Sequence, residues 1–159
     1  MTETAAPRYG GPVTDTDEIA ERILRTYPVI TVVGASADPV KAACYVPAHM
    51  QRHGWRIIPV NPHADTILGE PVFRTLAGVP ERVGLVDVFR PPAATPDIAR
   101  QAVAAGATAL WLQLGIVSAQ ARAIAGEAGL LYVEDRCLII EQRRLGLTAP
   151  GASPAGTTG

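Results

Sequence analysis

The apolar positions of this chain follow two different spacings. Unbroken runs occupy 29–33 (VITVV), 55–60 (WRIIPV), 85–89 (LVDVF), 109–114 (ALWLQL) and 130–133 (LLYV). Runs this short and this rich in Val, Ile and Leu read as strands covered on both faces. Between them, apolar residues return every three or four positions, which is the helical period.

TDTDEIAERILRTY predicts an opening helix, with Thr14 or Asp15 as its cap and Glu18 as the capping-box partner. Ile19, Ile23 and Leu24 form its apolar stripe. A second helix is predicted over Tyr45–Arg52, with Pro47 tolerated in its first turn. Thr95-Pro96-Asp97 supplies a cap, a first-turn proline and an early acid for a third. Ser118 caps a fourth, AQARAIAGEAG, which Gly129 ends, and a last helix falls near 138–145.

Strands separated by single helices pair in parallel through right-handed crossovers. The prediction is an α/β fold: a Rossmann-like, doubly wound sheet of about five parallel strands in a three-layer αβα arrangement. Residues 14–147 make this single domain. The segments 1–13 and 148–159 are expected to be flexible tails with little to bury.

Composition narrows the function. The 159 residues are 48% hydrophobic but only 5% aromatic, so aliphatic side chains must do the packing. Basic residues number 14 and acidic ones 15, a net charge of −1, which offers no broad field to a polynucleotide. Cys44 and Cys137 form no CxxC pair, so neither a zinc site nor a disulfide framework is signalled. The opening MTETAAPRYGG lacks the apolar core of a secretory signal, and no apolar run approaches membrane-spanning length. A soluble cytoplasmic protein without nucleic-acid or membrane partners is expected. Apolar helix faces permit a homodimer without demanding one.

Ligands of doubly wound sheets lie beyond the carboxyl ends of the strands, which makes the five post-strand loops the candidate site. Gly34-Ala35-Ser36-Ala37-Asp38 follows the first strand. Small residues and a helix start can cradle a phosphate, with Ser36 and Lys41 as further donors; a turn that merely needs small residues reads the same way. Val60-Asn61-Pro62-His63 follows the second. It lacks the acid that takes ribose hydroxyls in dinucleotide folds, which counts against NAD. Phe89-Arg90-Pro91 follows the third, and Arg90 either meets phosphate oxygens or pairs with Asp87 or Asp135. Gln113 and Gly115 follow the fourth; Gln113 is a polar amide in an apolar run and needs a partner if buried. Cys137 follows the fifth between Arg136 and a helix start, a setting in which thiols are activated, although a small inert thiol fits there too.

Taken in order, GAS-x-DP-x-K, PVNP, LGEPVF-x-TL, VDVFRPP, WLQLGI and Asp135-Arg136-Cys137 resemble the small standalone CoA-binding proteins. Their fold is similar to the CoA-binding N-terminal domain of succinyl-CoA synthetase α-subunits. The resemblance covers roughly residues 26–145. It implies CoA held across the strand ends, with Gly34, Ala35, Ser36 and Lys41 on the phosphates. Val60, Asn61, Pro62 and His63 would line the adenosine end. Val88, Phe89, Arg90 and Pro91 would line the other side, and Gln113 and Gly115 would lie towards the pantetheine. Where the family often has Pro-Ser-Tyr after the cation, this chain has Ala42-Ala43-Cys44, which removes two ligand contacts.

No catalytic constellation is legible. His49 and His53 share a helix face at i, i+4 without an evident third metal ligand, and His63 sits in a site loop. The phosphorylated histidine and ATP-grasp partner of succinyl-CoA synthetase are not found in the sequence. The expected function is binding of CoA or acyl-CoA without catalysis. The alternatives are an enzyme or enzyme subunit using NAD(P) or acyl-CoA in the same pocket, and a thiol-redox or interaction module built on Cys137, including a mixed disulfide with CoA.

Overall fold

Helix α1 (Thr16–Thr26) opens the region described by the computed structural model, residues 15–152. Its cap is Asp15, whose carboxylate accepts the N–H of Asp17 at 3.0 Å. The first crossover unit follows as β1 (Val29–Val33), α2 (Ala42–Arg52) and β2 (Arg56–Val60). A short hairpin, β3 (Thr66–Ile67) and β4 (Glu70–Pro71), precedes β5 (Leu85–Val88). Then come α3 (Thr95–Ala104), β6 (Ala109–Leu112), α4 (Ala119–Glu127), β7 (Leu131–Val133) and α5 (Leu138–Leu145).

The sheet order is β2-β1-β5-β6-β7 and every pairing is parallel. The fold is therefore the doubly wound α/β sheet expected, with its order reversing between β1 and β5. Residues of alternate parity feed two cores. Ile30, Val32, Leu85 and Trp111 pack with Ile23, Leu24, Val46, Met50 and Leu138 of α1, α2 and α5. Val86, Val88, Leu110 and Leu112 pack with Ile98, Ala99, Ala121 and Ala125 of α3 and α4. Small alanines let α3 and α4 approach the sheet closely. Both buried tryptophans satisfy their indole N–H groups, Trp55 on the Tyr27 carbonyl and Trp111 on that of Arg136.

Three local expectations are corrected. Helix α2 starts at Ala42 rather than Tyr45, so Pro47 lies inside the helix and not in its first turn. Thr95 is the first residue of α3, and its hydroxyl donates to the Pro92 carbonyl instead of capping the helix. The segment expected as a tail from 148 onward packs at its start: Ala149 is buried in the core and its N–H bonds the His53 carbonyl at 3.0 Å. The tail expected over 1–13, the remainder of 148–159 from 153 onward, and Thr14, the other candidate cap, lie outside the described residues.

Candidate functional site

Because β1 and β5 are neighbours in register, Val33 opposite Val88, their loops leave the sheet side by side. Gly34 turns the chain at φ +88°, a conformation that L side chains rarely adopt. Its N–H bonds the Val60 carbonyl and the Phe89 N–H bonds the Val33 carbonyl, so the ends of β1, β2 and β5 are tied together.

Two cavities open on this edge. The larger, about 580 Å³, has Gly34, Val60, Asn61, Pro62, His63 and Arg90 on its wall. The smaller, about 450 Å³, has Phe89, Arg90, Pro91 and Gln113. Arg90 lines both, at the point where the strand order reverses. Neither expected ion pair forms. Asp87 is fully buried with no hydrogen-bond partner on either oxygen, and Asp135 accepts the Gly115 N–H instead. No acid pairs with the guanidinium of Arg90 among the described residues, which leaves its planar donor fork for a ligand anion.

The small-residue loop is organised differently from a simple amide nest. Pro47 has no N–H to give to the carbonyl of Ala43 one helical turn back. The N–H of Ser36 takes that carbonyl at 3.2 Å. The helix-breaking residue thus anchors the loop to the helix. The Ser36 hydroxyl oxygen accepts the Asp38 N–H, while the amides of Ala35 and Ala37 have no partner among the described residues. Ala35 is buried in the core, and Lys41 is the exposed N-cap of α2. Neither these two residues nor Ser36, Val88 and Gly115 line either of the two cavities.

The structure spends Asn61 on the protein itself. Its Nδ2 donates to the Ala35 carbonyl at 2.8 Å, and its Oδ1 accepts the N–H groups of His63 and Ala64 at 2.6 and 2.8 Å. Asn61 therefore shapes the wall next to the β1 loop, with His63 carried on the far side of the turn. Arg74, which sequence reasoning passed over, completes the wall. One of its terminal nitrogens, Nη1, donates to the carbonyls of both Asn61 and Ala64, and the other, Nη2, pairs with Asp65 at 2.7 Å. Thr75, Asp97 and Gln101 add polar groups to the same cavity. The signal for these residues in the sequence was faint, since the segment after β4 and helix α3 reach the cavity only through tertiary packing.

The smaller cavity is apolar. Val46, Leu114 and Ile116 join Phe89 and Pro91, and Ala42 and Ala43 add small side chains to the wall. Gln113 is only 4% exposed; its Oε1 accepts the Leu138 N–H at 3.3 Å. Its Nε2 has no partner among the described residues. Cys137 lines the cavity beside it, whereas Cys44 is buried in α2 and lines neither cavity. Burial raises the Cys44 thiol above its ordinary pKa, with a smaller push from the Asp38 charge.

The histidine pair of α2 is a packed one. The rings of His49 and His53 lie 4.3 Å apart, His49 Nε2 donates to Gln142 Oε1 at 2.6 Å, and His53 Nδ1 donates to the His49 carbonyl. Among the described residues no group of three or more His, Cys, Asp or Glu could hold a metal ion, and no helix is long and apolar enough to cross a membrane.

Comparisons with known proteins agree with this architecture. An uncharacterized Bacillus subtilis protein, YneT, is 34% identical over 121 residues, covering 76% of this chain and 89% of its own. A hypothetical protein from Pyrococcus horikoshii OT3 superposes with a TM-score of 0.79 at 34% identity, over 90% of this chain and 98% of its own. The cell-free ID.343 protein of Thermus thermophilus does so with a TM-score of 0.76 at 37% identity, over 81% and 98%. The model of one family spans 28–143, from the residue before β1 into α5, so that the whole sheet and both cavities lie inside it: the chain belongs to the CoA binding domain family.

Proposed function

We propose that this chain binds coenzyme A or an acyl-CoA across the carboxyl ends of its strands, as a binding module without chemistry of its own. The observation that carries the reading is the pair of cavities that share Arg90, the larger lined by a mixture of polar and apolar groups and the smaller almost wholly apolar. CoA has the same division: an adenosine with a 3′-phosphate, a diphosphate, then a largely uncharged pantetheine arm. The adenosine half suits the larger cavity, with His63 near its phosphate on a wall that Arg74 braces. Arg90, unpaired and central, suits the diphosphate. The arm then runs past Phe89 towards Gln113. Ala35 and Ala37 add free amides on the phosphate side, so fewer main-chain donors serve the ligand than the loop's composition suggests.

The absence of an acid at the end of β2 supports CoA over NAD, because a 3′-esterified ribose has no diol to be gripped there. A cytoplasmic site of action fits a ligand of this kind. Calorimetric titration with CoA, dephospho-CoA, acetyl-CoA and NAD tests the reading. Binding of CoA, weaker binding of dephospho-CoA and none of NAD is the expected order. Saturation at 100 times the dissociation constant would stabilise the fold by about 2.7 kcal/mol. No heat and no thermal shift with millimolar CoA would overturn it.

A further inference from the structure

We propose that Cys137 captures the thiol end of the bound carrier as a mixed disulfide, which makes this site sensitive to the oxidation state of CoA as well as to its concentration. The inference rests on the CoA reading above. It is carried by what shares the wall of the smaller cavity with the thiol. Gln113 is 4% exposed, lines that cavity, and has an Nε2 with no partner among the described residues. The side chain is almost wholly buried, yet Nε2 is not among the buried unpartnered atoms, so the donor that is left open belongs to the cavity wall and is matched to an acceptor that arrives with a ligand. Pantetheine supplies such acceptors in its amide carbonyls.

Cys137 is adjacent. Its successor Leu138 donates its N–H to Gln113 Oε1 at 3.3 Å, which fixes the cysteine backbone against the glutamine side chain. The thiol is partly exposed and stands at the N-cap of α5, where it makes no capping hydrogen bond. Arg136 does not compete for the space, because its guanidinium is held by Asp17 at 2.7 Å and Glu141 at 3.5 Å. With the diphosphate at Arg90, an arm directed along Phe89 to Gln113 delivers its sulfur to the region of Cys137.

The reaction is thiol–disulfide exchange with CoA disulfide as the oxidant. The Cys137 sulfur, as thiolate, attacks one sulfur of the CoA disulfide. A protein–CoA disulfide forms, the original sulfur–sulfur bond breaks, and the departing CoA thiolate takes up the proton that Cys137 lost. Free CoA leaves, and a cellular thiol reverses the step by the same exchange.

The test uses the reduced full chain with CoA disulfide or glutathione disulfide at equal concentration, followed by intact-mass measurement and peptide mapping. One adduct on Cys137 is expected, formed at least about tenfold faster from CoA disulfide, as prior binding of the nucleotide end requires. Arg90→Ala should remove that preference, bringing the two rates together. Equal rates for the two disulfides, an adduct on Cys44, or no adduct in a protein that binds reduced CoA by calorimetry would overturn the inference and leave the CoA reading standing. Failure to bind reduced CoA would overturn both.

Discussion

The aliphatic stem of Arg90 occupies the space that a side chain on Gly34 would need. A Cβ at Gly34 would stand 3.0 Å from Cδ of Arg90 and 2.8 Å from the Phe89 carbonyl oxygen. The glycine is therefore required by the protein's own β5 loop, whatever the ligand also asks of it. Gly34→Ala meets two penalties, a backbone at φ +88° costing roughly 1–2 kcal/mol and displacement of Arg90 from between the two cavities. Melting should fall by several degrees and CoA binding should weaken beyond what stability explains. A variant that melts lower yet binds CoA as tightly as wild type would show that Arg90 need not stand where it does.

Arg74 is a strut for the wall it lines. Its pairing with Asp65 is largely exposed and contributes little, at most about 1 kcal/mol. The bonds to the Asn61 and Ala64 carbonyls close the turn that carries His63, at about 1 kcal/mol each. Arg74→Ala should lower stability by roughly 1–3 kcal/mol, by that count, and weaken CoA. Arg74→Lys keeps the charge but loses the planar fork, so it should recover little of either. Full recovery by lysine, in urea melts and CoA titrations, would mean that charge and not bracing is what matters.

The architecture was legible because parallel strands buried on both faces are written as continuous apolar runs, and each run here falls on a strand. What escaped has local causes. Helix α2 begins at Ala42 behind Lys41, an N-cap whose side chain makes no capping bond, so no cap residue announced it. The β3–β4 hairpin turns at Leu68 (φ +54°) and Gly69 (φ +77°), and leucine is an unusual occupant of that conformation. Ala149 sits in a Pro- and Gly-rich stretch whose composition says loop while its burial depends on Gly54 coming close enough to admit it. Of the residues on the two cavity walls, Gly34, His63, Phe89, Arg90, Pro91 and Gln113 were legible as strand-end positions. Arg74, Asp97 and Gln101 were not, since they reach the cavity from a hairpin and a helix flank. The amides of the β1 loop looked free in sequence, and only the fold shows that Pro47 diverts the one at Ser36.

His49 links α2 to α5 through Gln142, and burial holds its imidazole below the ordinary histidine range. The Gln142 bond pulls the other way, while the charges of His53, Arg143 and Arg52 add to the depression. The folded state thus prefers the neutral ring, whereas the unfolded chain takes up a proton near pH 6.5 or so, about the model-peptide value. Stability from this residue is present above that pH and lost as pH falls through it. His49→Asn should cost about 1 kcal/mol at pH 7.5, the order of one hydrogen bond, and distinctly less at pH 5.5. Urea melts of both proteins at the two pH values check this, and a cost that does not change with pH would remove His49 as the titrating group.

Asp87 should act with the opposite sign. It lies in register between Val32 of β1 and Trp111 of β6, is 0% exposed, and neither carboxyl oxygen has a hydrogen-bond partner. Burial raises its pKa well above the ordinary carboxyl value; the nearby Val88 N–H favours the charged form and is outweighed. The folded protein therefore retains a proton that the unfolded chain releases above about pH 3.9. Each step of rising pH from there towards the folded pKa favours the unfolded state. Asp87→Asn keeps the shape and removes the titration, so the variant should match wild type at pH 4 and exceed its stability at pH 7.5. The gain should also widen with pH in the His49→Asn background, because the two residues lie on different elements and titrate independently. A gain of the same size at both pH values would mean that Asp87 is ionised in the folded protein.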